Sequence, residues 1–295
     1  MNDVNRDRLR LRPAPPRSPN SLRIVSWNIE RGLQFPKILD FLRAIDADLL
    51  LLQEVDLNAR RTRHRDIAYE LGRSLQLNYT FGMEFEELSQ GTTASPAYHG
   101  MATLARWPLQ RARIIRFRDQ SSFWRPRWFV PDIPAFQRRL GGRIALVAET
   151  TIHARTVVSY NVHLESRGNN DLRLRQLQEV LSDCRRYVDQ PTIVIGGDFN
   201  CRADDADVAT ALRDAGFHDA VRLPERPTTT ASHPRAIDWI FISDELVCEG
   251  RVHDDIRASD HYPISTTLRR PPDSNGCAAR SDSRGSAAVV PGSSS

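Results

Sequence analysis

Thr192-Ile193-Val194-Ile195-Gly196-Gly197-Asp198-Phe199-Asn200 is the stretch on which the reading of the chain turns. Its β-branched run reads as a buried strand, and the glycine pair that ends the run delivers a carboxylate and an amide at the strand exit. In open α/β sheets the ligand crevice lies beyond the carboxyl ends of strands, which sets Asp198 and Asn200 toward solvent or a ligand rather than the core. Gly-Asp-x-Asn is also ordinary turn chemistry. These residues alone leave both readings open.

The pattern around them is that of one mixed α/β unit. Leu22 to Trp27 alternates like a strand and stops at Asn28, after which Glu30, Arg31 and Gly32 read as a loop. Phe35, Ile38, Leu39, Leu42 and Ile45 recur at helical spacing, and Leu49 to Leu52 is a short buried strand ending at Gln53-Glu54. A second helix is predicted over Asp66 to Leu75. Strand-like pieces follow at Asn78 to Phe81, Gly100 to Ala105 and Arg111 to Phe117, then an irregular proline-containing stretch from Ser121 to Leu140. Gly142 to Thr151 and Arg155 to His163 read as paired strands. Leu174 to Val188 marks an amphipathic helix that Asn169-Asn170-Asp171 can cap. A helix near Asp207 to Ala215 and strands at Ile237 to Ile242 and Pro263 to Leu268 complete the unit.

Composition bounds the rest. The 295 residues are 40% apolar and 26% charged, enough for a sizeable core in a polar surface. No apolar run is long enough to span a bilayer. Residues 1–21 are charged and proline-rich without the apolar segment of a secretory signal, so a flexible lead-in and a cytoplasmic location are expected. Residues 271–295 are rich in Pro, Gly, Ser and Ala and read as a disordered tail, which leaves 22–270 as the folded domain. Four cysteines lie without a C-x-x-C pair, so neither a zinc knuckle nor a disulfide framework is suggested. Lys37 is the only lysine among 41 basic residues. A bias that complete reflects codon composition before function.

Six times an apolar strand stops at, or starts from, a side chain able to do chemistry: Asn28; Gln53-Glu54; Asn161 and His163; Asp198 and Asn200; Asp238; Asp260-His261. Each has a bland explanation, a satisfied structural histidine or a turn asparagine among them. Together they suggest a site. Oxygen ligands from Glu54 and one or two aspartates suit Mg²⁺ or Mn²⁺, which would also bind a phosphate oxygen. Histidines beside acids suit proton transfer or stabilisation of a phosphoryl transition state. No serine or cysteine stands in a nucleophile setting, which favours metal-assisted water attack.

In order, Ser26-Trp27-Asn28-Ile29, Leu52-Gln53-Glu54, His163-Leu164, Gly197-Asp198-Phe199-Asn200, Ile237-Asp238-Trp239-Ile240 and Ser259-Asp260-His261-Tyr262-Pro263 resemble the endonuclease/exonuclease/phosphatase family, over residues 22–268. The resemblance implies a four-layer α/β/β/α sandwich of two mixed sheets packed face to face, with the site at one edge. It implies a divalent-metal-dependent hydrolase of phosphoester bonds. By motif, Glu54 becomes the principal metal ligand, with Asn28 and Asp260 near the metal or scissile phosphate. Asp198 orients the water, Asn200 holds the phosphate, His261 stabilises the transition state, Asp238 orients an imidazole, and His163 contacts the phosphate from the opposite side. Glu30 stands where some members carry a second acid.

Substrate choice is sought in residues 106–143, whose ten arginines and two aspartates give a net charge of +8 against −4 for the rest of the chain. Trp107, Phe117, Phe123, Trp124, Trp128, Phe129 and Phe136 are interleaved with them. Arginines that neutralise phosphates and aromatics that stack on bases suit nucleic acid. An anionic membrane surface is a second fit, and core aromatics under a solvated basic face a third. Arg138, Arg139 and Arg143 are the residues expected to reach substrate phosphate, with Arg125 and Arg127 in the densest basic-aromatic piece. A nuclease or phosphodiesterase is the leading expectation. A phospholipid or sphingomyelin phosphodiesterase or inositol polyphosphate phosphatase comes second, and an inactive binding protein of the same fold third. No protein partner is implied.

Overall fold

The computed structural model describes residues 21–124, 138–152, 155–187, 191–202, 206–223, 227–244 and 246–269. Among them run thirteen strands and four α-helices. The strands are β1 (Ser21–Arg31), β2 (Leu49–Leu57), β3 (Asn78–Glu87), β4 (Tyr98–Ala105), β5 (Leu109–Arg116), β6 (Arg139–Gly141) and β7 (Ile144–Ile152), then β8 (Arg155–His163), β9 (Thr192–Asp198), β10 (His218–Asp219), β11 (Asp238–Ile242), β12 (Val247–Val252) and β13 (Ile264–Arg269). The helices are α1 (Phe35–Ile45), α2 (Ile67–Leu75), α3 (Asn170–Cys184) and α4 (Ala206–Asp214).

They form a seven-stranded sheet of order β12-β13-β1-β2-β4-β3-β6 and a six-stranded sheet of order β10-β11-β9-β8-β7-β5. Each is mixed, with one parallel pair apiece, β1 with β2 and β8 with β9. The period of two explains the layers. Val25, Trp27, Leu50 and Leu52 face α1 and α2, whose buried side includes Ile38, Leu42 and Leu71. Ile24, Leu49 and Leu51 face the other way and meet Val194, Ile240 and Ile242 of the second sheet. On that sheet's far side Ile193 and Ile195 pack with Leu177, Val180, Val208 and Leu212 from α3 and α4. The result is the four-layer α/β/β/α sandwich expected from the motifs. Strand β9 is covered on both faces, which is why its sequence is an unbroken apolar run. Each of these fully buried aliphatic side chains contributes about 1.5–3 kcal/mol of transfer free energy.

The glycine pair has a steric cause. A Cβ on Gly196 would lie 2.6 Å from Cδ1 of Leu51 in the facing sheet. At Gly197, where φ is +153°, it would lie 1.9 Å from the Val162 carbonyl oxygen. At Gly197 the β8 backbone approaches too closely for any side chain, and at Gly196 a Cβ would press on a methyl of the facing sheet.

The helices begin where the sequence places caps. The Asp66 carboxylate accepts from the Tyr69 N–H at 3.0 Å, and the Asn169 amide oxygen accepts from Leu172 N–H at 3.1 Å. Several boundaries differ from expectation. Strands β1 and β2 continue to Arg31 and Leu57 through bulges. Helix α3 ends at Cys184 rather than near Val188. Strands β6, β10 and β12 are short or edge pieces without a clear period-two signal. Within Ser121–Leu140 the described ends are a 3₁₀ turn at Ser122–Trp124 and the start of β6. The lead-in, the tail and residues 125–137 lie outside the described residues. No helix among the described residues is long and apolar enough to cross a membrane.

Candidate active site

Asp198 is the centre of the constellation. It ends β9 with His163 of β8 and Asp238 of β11 as its neighbours in register. All three side chains are buried. Asp198 Oδ2 lies 3.6 Å from His163 Nε2 and 3.8 Å from His261 Nε2, and it accepts the Asn28 side-chain amide at 3.2 Å. Its other oxygen accepts the Asn200 backbone N–H at 2.9 Å. Asn28 comes from β1, so this hydrogen bond joins the two sheets at their common edge. Deeper in, the Gln53 amide donates to Asn161 Oδ1 at 2.7 Å, and the Asn161 amide donates to the Leu52 and Ala102 carbonyls at 3.0 Å each. These two buried amides tie sheet to sheet behind the site.

The turn carrying His261 is attached to β1. Ser259 Oγ donates to the Asn28 carbonyl at 2.7 Å and accepts the His261 N–H at 3.1 Å, and the Trp27 indole N–H donates to the His261 carbonyl at 2.8 Å. The ring itself is set by Asp238, whose Oδ2 is 2.9 Å from Nδ1. Thr229 Oγ1 accepts the backbone N–H groups of Ile237 and Asp238, which fixes that strand start. Burial would lower the imidazole's pKa, yet the Asp238 and Asp198 carboxylates push it up to about 10. The ring is therefore a cation at neutral pH.

A second acidic group sits on the bulged ends of β1 and β2. Glu30, Arg31 and Glu54 all have left-handed backbone, with φ of 44°, 65° and 52°. The bulge in β2 between Leu52 and Val55 re-aims Glu54. Arg31 Nη2 lies 3.7 Å from Glu54 Oε2. Burial would raise the Glu54 carboxyl, but Arg31, His99, His163 and Arg143 together hold it well below the usual range. The Glu30 carboxyl is raised, first by burial and then by the negative charges of Asp260 and Glu54. Glu30 thus feels the negative charge of both Asp260 and Glu54. Carboxylate oxygens are the hard donors that a small divalent cation takes.

Among the described residues, the group whose ligand atoms lie close enough together to hold a metal is Asp198, Asp238 and His261, within 4.8 Å of one another. There the His261 Nδ1 is committed to Asp238. The Asn200 amide donates to the Leu164 carbonyl at 3.0 Å and stands partly exposed beside Asp198.

The structure adds residues that the strand-end pattern misses. Glu84, in a bulge of β3 between Met83 and Phe85, places Oε2 3.2 Å from His163 Nδ1. His99 of β4 is buried with Nε2 4.0 Å from the same Glu84 oxygen, and its Nδ1 is 3.0 Å from Asp56 Oδ1. Asp56 in turn holds Arg61 through two contacts of 2.7 Å. A ladder of ionisable side chains, Arg61, Asp56, His99, Glu84, His163, Asp198, therefore crosses the interior. A lone charge within an alternating strand gives no signal of this kind in sequence.

The arginine expectation needs correction. Arg143 is buried, with Nη1 3.1 Å from Glu84 Oε1 and 2.8 Å from His163 Nδ1. Arg139 is also buried, its Nη2 2.8 Å from Glu87 Oε1 and its guanidinium 4.8 Å from the centre of the Phe85 ring. Neither projects from a solvated loop: Arg143 braces His163, and Arg139 lies between Glu87 and the Phe85 ring. Arg138 is half-buried, and its carbonyl accepts from Leu88 N–H. Nor do residues 106–143 form one basic loop. Arg106 pairs with Asp48 and Asp46, Arg111 with Glu149, Arg113 with Asp183 and Arg118 with Glu179. Among the described residues, six of the arginines counted in that excess are paired with carboxylates, Arg139 and Arg143 included. Phe117 is core, while Phe123 is exposed with the Arg167 guanidinium 4.5 Å above its ring. Arg125, Arg127, Trp128, Phe129 and Phe136 lie outside the described residues.

A two-sheet sandwich that gathers carboxylates, imidazoles and amides at one edge is the architecture of a phosphoester hydrolase. The model of the endonuclease/exonuclease/phosphatase family matches residues 25–261, and the chain belongs to that family. Solved structures agree on the fold. An endonuclease/exonuclease/phosphatase from Beutenbergia cavernae DSM 12333 is 19% identical with a TM-score of 0.63, over 85% of this chain and 72% of that one. TDP2 from C. elegans is 18% identical with a TM-score of 0.56, over 84% and 75%. ANGEL2, a 2',3'-cyclic phosphatase, is 17% identical with a TM-score of 0.59, over 85% and 95%. No curated protein matches the sequence.

Proposed function

We propose that this chain is a Mg²⁺- or Mn²⁺-dependent phosphodiesterase that cleaves nucleic acid by direct attack of water. The observation that carries the reading is the position of Asp198: one carboxylate oxygen within 4 Å of two imidazoles, across from the carboxylates of Glu30, Glu54 and Asp260. Asp198 takes the proton from the attacking water, and the Asn28 amide and Asn200 N–H hold the carboxylate in place while it does so. The His261 imidazolium, kept charged by Asp238, faces the negative charge that builds on the phosphoryl oxygens. His163, braced by Glu84 and Arg143, contacts the phosphate from the other side, with Asn200 at the rim.

Glu54, Asp260 and Asn28, with Glu30 beside them, would hold the divalent ion. Once bound, that ion supplies Lewis-acid neutralisation of a phosphate oxygen. The Ser259 hydroxyl, the one in the His261 turn, is committed to the Asn28 carbonyl, which supports water as the nucleophile. The 2',3'-cyclic phosphate named for ANGEL2 is a ribose phosphodiester, which supports the nucleic-acid side of the reading.

The test is turnover by purified protein with Mg²⁺ or Mn²⁺ on single-stranded, duplex and abasic-site DNA, RNA, sphingomyelin and inositol phosphates, beside a Glu54→Ala/His261→Ala control. Oligonucleotide cleavage that disappears in the double variant is expected. Turnover confined to lipid, or cleavage untouched by the substitutions, overturns the reading.

A further inference from the structure

Residues Asn58 to Arg65, which connect β2 to α2, carry the sequence Asn-Ala-Arg-Arg-Thr-Arg-His-Arg, with no acid among them. Arg60, Arg63 and His64 are exposed. Neither Arg60 nor Arg63 has a carboxylate partner among the described residues, whereas Arg65 is paired with Glu70 at 2.9 Å. The turn starts one residue after β2 ends, four residues beyond Glu54, so it stands at the carboxyl end of the strand that carries that acid.

It is also held rigidly. Arg61 points inward to Asp56 and to Glu87 Oε1 at 3.1 Å, so it anchors the turn to the ladder of ionisable side chains that ends on Asp198. Arg60 N–H donates to the Gln90 carbonyl at 2.9 Å, His64 N–H to the Ala59 carbonyl at 2.9 Å, and the Asn58 amide to Ser95 Oγ at 2.7 Å. Asn58, Arg63 and His64 have left-handed φ of 59°, 58° and 57°. Such backbone costs of order 1–3 kcal/mol per residue and persists where surrounding contacts over-determine it. Here they hold Arg60 and Arg63 in the open at the carboxyl end of β2, an arrangement that repulsion alone would disfavour.

The chemistry selects the partner. Guanidinium forks match phosphodiester oxygens two at a time. A membrane-surface segment would also bring aromatic or aliphatic side chains to bury among headgroups, and Asn58 to Arg65 has none but the buried Ala59. We infer that the β2–α2 turn is a backbone contact for a nucleic-acid substrate, in which Arg60 and Arg63 grip phosphates flanking the one at Asp198. This rests on the proposed function and extends it to residues outside the reacting site.

The experiment is fluorescence anisotropy of a labelled single-stranded DNA 12-mer, and of its RNA equivalent, with the full chain in EDTA across a salt series. Arg60→Ala/Arg63→Gly is the test variant, glycine being the residue that accepts the left-handed position; Arg213→Ala, exposed on α4, is the control. Unchanged melting temperatures establish that all are folded. The double variant should bind roughly tenfold more weakly, with the slope of log Kd against log salt reduced by about 1.4, two contacts at about 0.7 each. The control should match the wild-type chain. Equal affinity and slope in the test variant, absence of oligonucleotide binding by the wild-type chain, or an effect confined to phosphatidylserine vesicles would overturn the inference. Binding that depends on the turn without cleavage on adding Mg²⁺ would sink the proposed function and leave the contact standing. Cleavage with unaltered binding in the variant would do the reverse.

Discussion

His163 Nε2 stands 3.6 Å from Asp198 Oδ2, and the other nitrogen of the same ring is 3.2 Å from Glu84. The imidazole therefore links the carboxylate that would activate water to a buried acid from the opposite sheet. A group so placed separates two kinds of damage, loss of proton transfer and loss of the frame that aims it.

Asp198→Asn keeps the size of the side chain and its hydrogen bond from Asn200 N–H, but removes the base. We expect kcat to fall by about 10²–10⁴ with KM changed little, as for loss of a general base. Steady-state kinetics on an oligonucleotide or a small phosphodiester measures it. A kcat within tenfold of the parent chain would remove Asp198 from the proton-transfer role.

Glu84 reports on the frame. Burial would raise its carboxyl, yet His163 and Arg143 hold it down at about 2. Replacing it with alanine removes the carboxylate that pairs with the buried Arg143 guanidinium, and breaking a buried pair in this way costs about 3–5 kcal/mol. Glu70→Ala, which removes a half-exposed partner of Arg65, should cost less than about 1 kcal/mol. Urea midpoints compare the two directly. Because the Glu84 pKa is depressed, its contribution is present above the unfolded value near 4.5 and is lost as pH falls toward 2. Similar midpoints for the two variants would mean the ladder carries no net stability.

What was legible in the chain follows from this geometry. His163, Asp198 and Asp238 bound strands, where the end of an apolar alternation locates a side chain to within a residue, and Asn28 stands at the bulge where the alternation of β1 ends. The alternation itself yields the two sheets and their faces. Glu84 and His99 lie within strands, and nothing in a period of two marks them as anything but solvent-facing positions. The bulges that turn Glu54 and Glu84 inward are set by pairing with strands distant in sequence. Arginine density misleads for the same reason: Asp48, Glu149, Asp183 and Glu179 reach Arg106, Arg111, Arg113 and Arg118 from other elements, so a local count of charge overstates the field.

His253 provides a pH test away from the site. Its ring packs edge-on to Phe41 at 5.1 Å and its Nε2 is 2.8 Å from Ser265 Oγ. Burial, with a smaller push from Arg251, lowers its pKa to about 4. The unfolded chain binds the proton first, so stability is full above the ordinary value of 6.5 and declines as pH falls from there toward 4. His253→Gln should flatten that decline relative to the parent chain while leaving turnover at neutral pH unchanged. Thermal melts across pH 4 to 8 measure it as a difference between the two proteins. Parallel curves would show that the ring titrates normally.

The glycine pair gives the sharpest contrast between neighbours. Gly196→Ala meets only the Cδ1 methyl of Leu51, the far end of a side chain that can rotate, and overpacking of that kind typically costs about 1–3 kcal/mol. Gly197→Ala meets the Val162 carbonyl oxygen and nitrogen, backbone of the parallel partner strand, from a φ of +153°. The β8–β9 pairing would have to open at the residue before Asp198. We therefore expect Gly196→Ala to fold with a lowered melting temperature and near-normal kcat. Gly197→Ala should lose cooperative unfolding, or fold with the distance between His163 and Asp198 disturbed and kcat reduced by at least about tenfold, since misplacing catalytic groups by an ångström is worth about 10². Denaturation curves and kinetics on both variants decide it; a Gly197→Ala protein with parental stability and turnover would mean that β8 can yield there without moving the site.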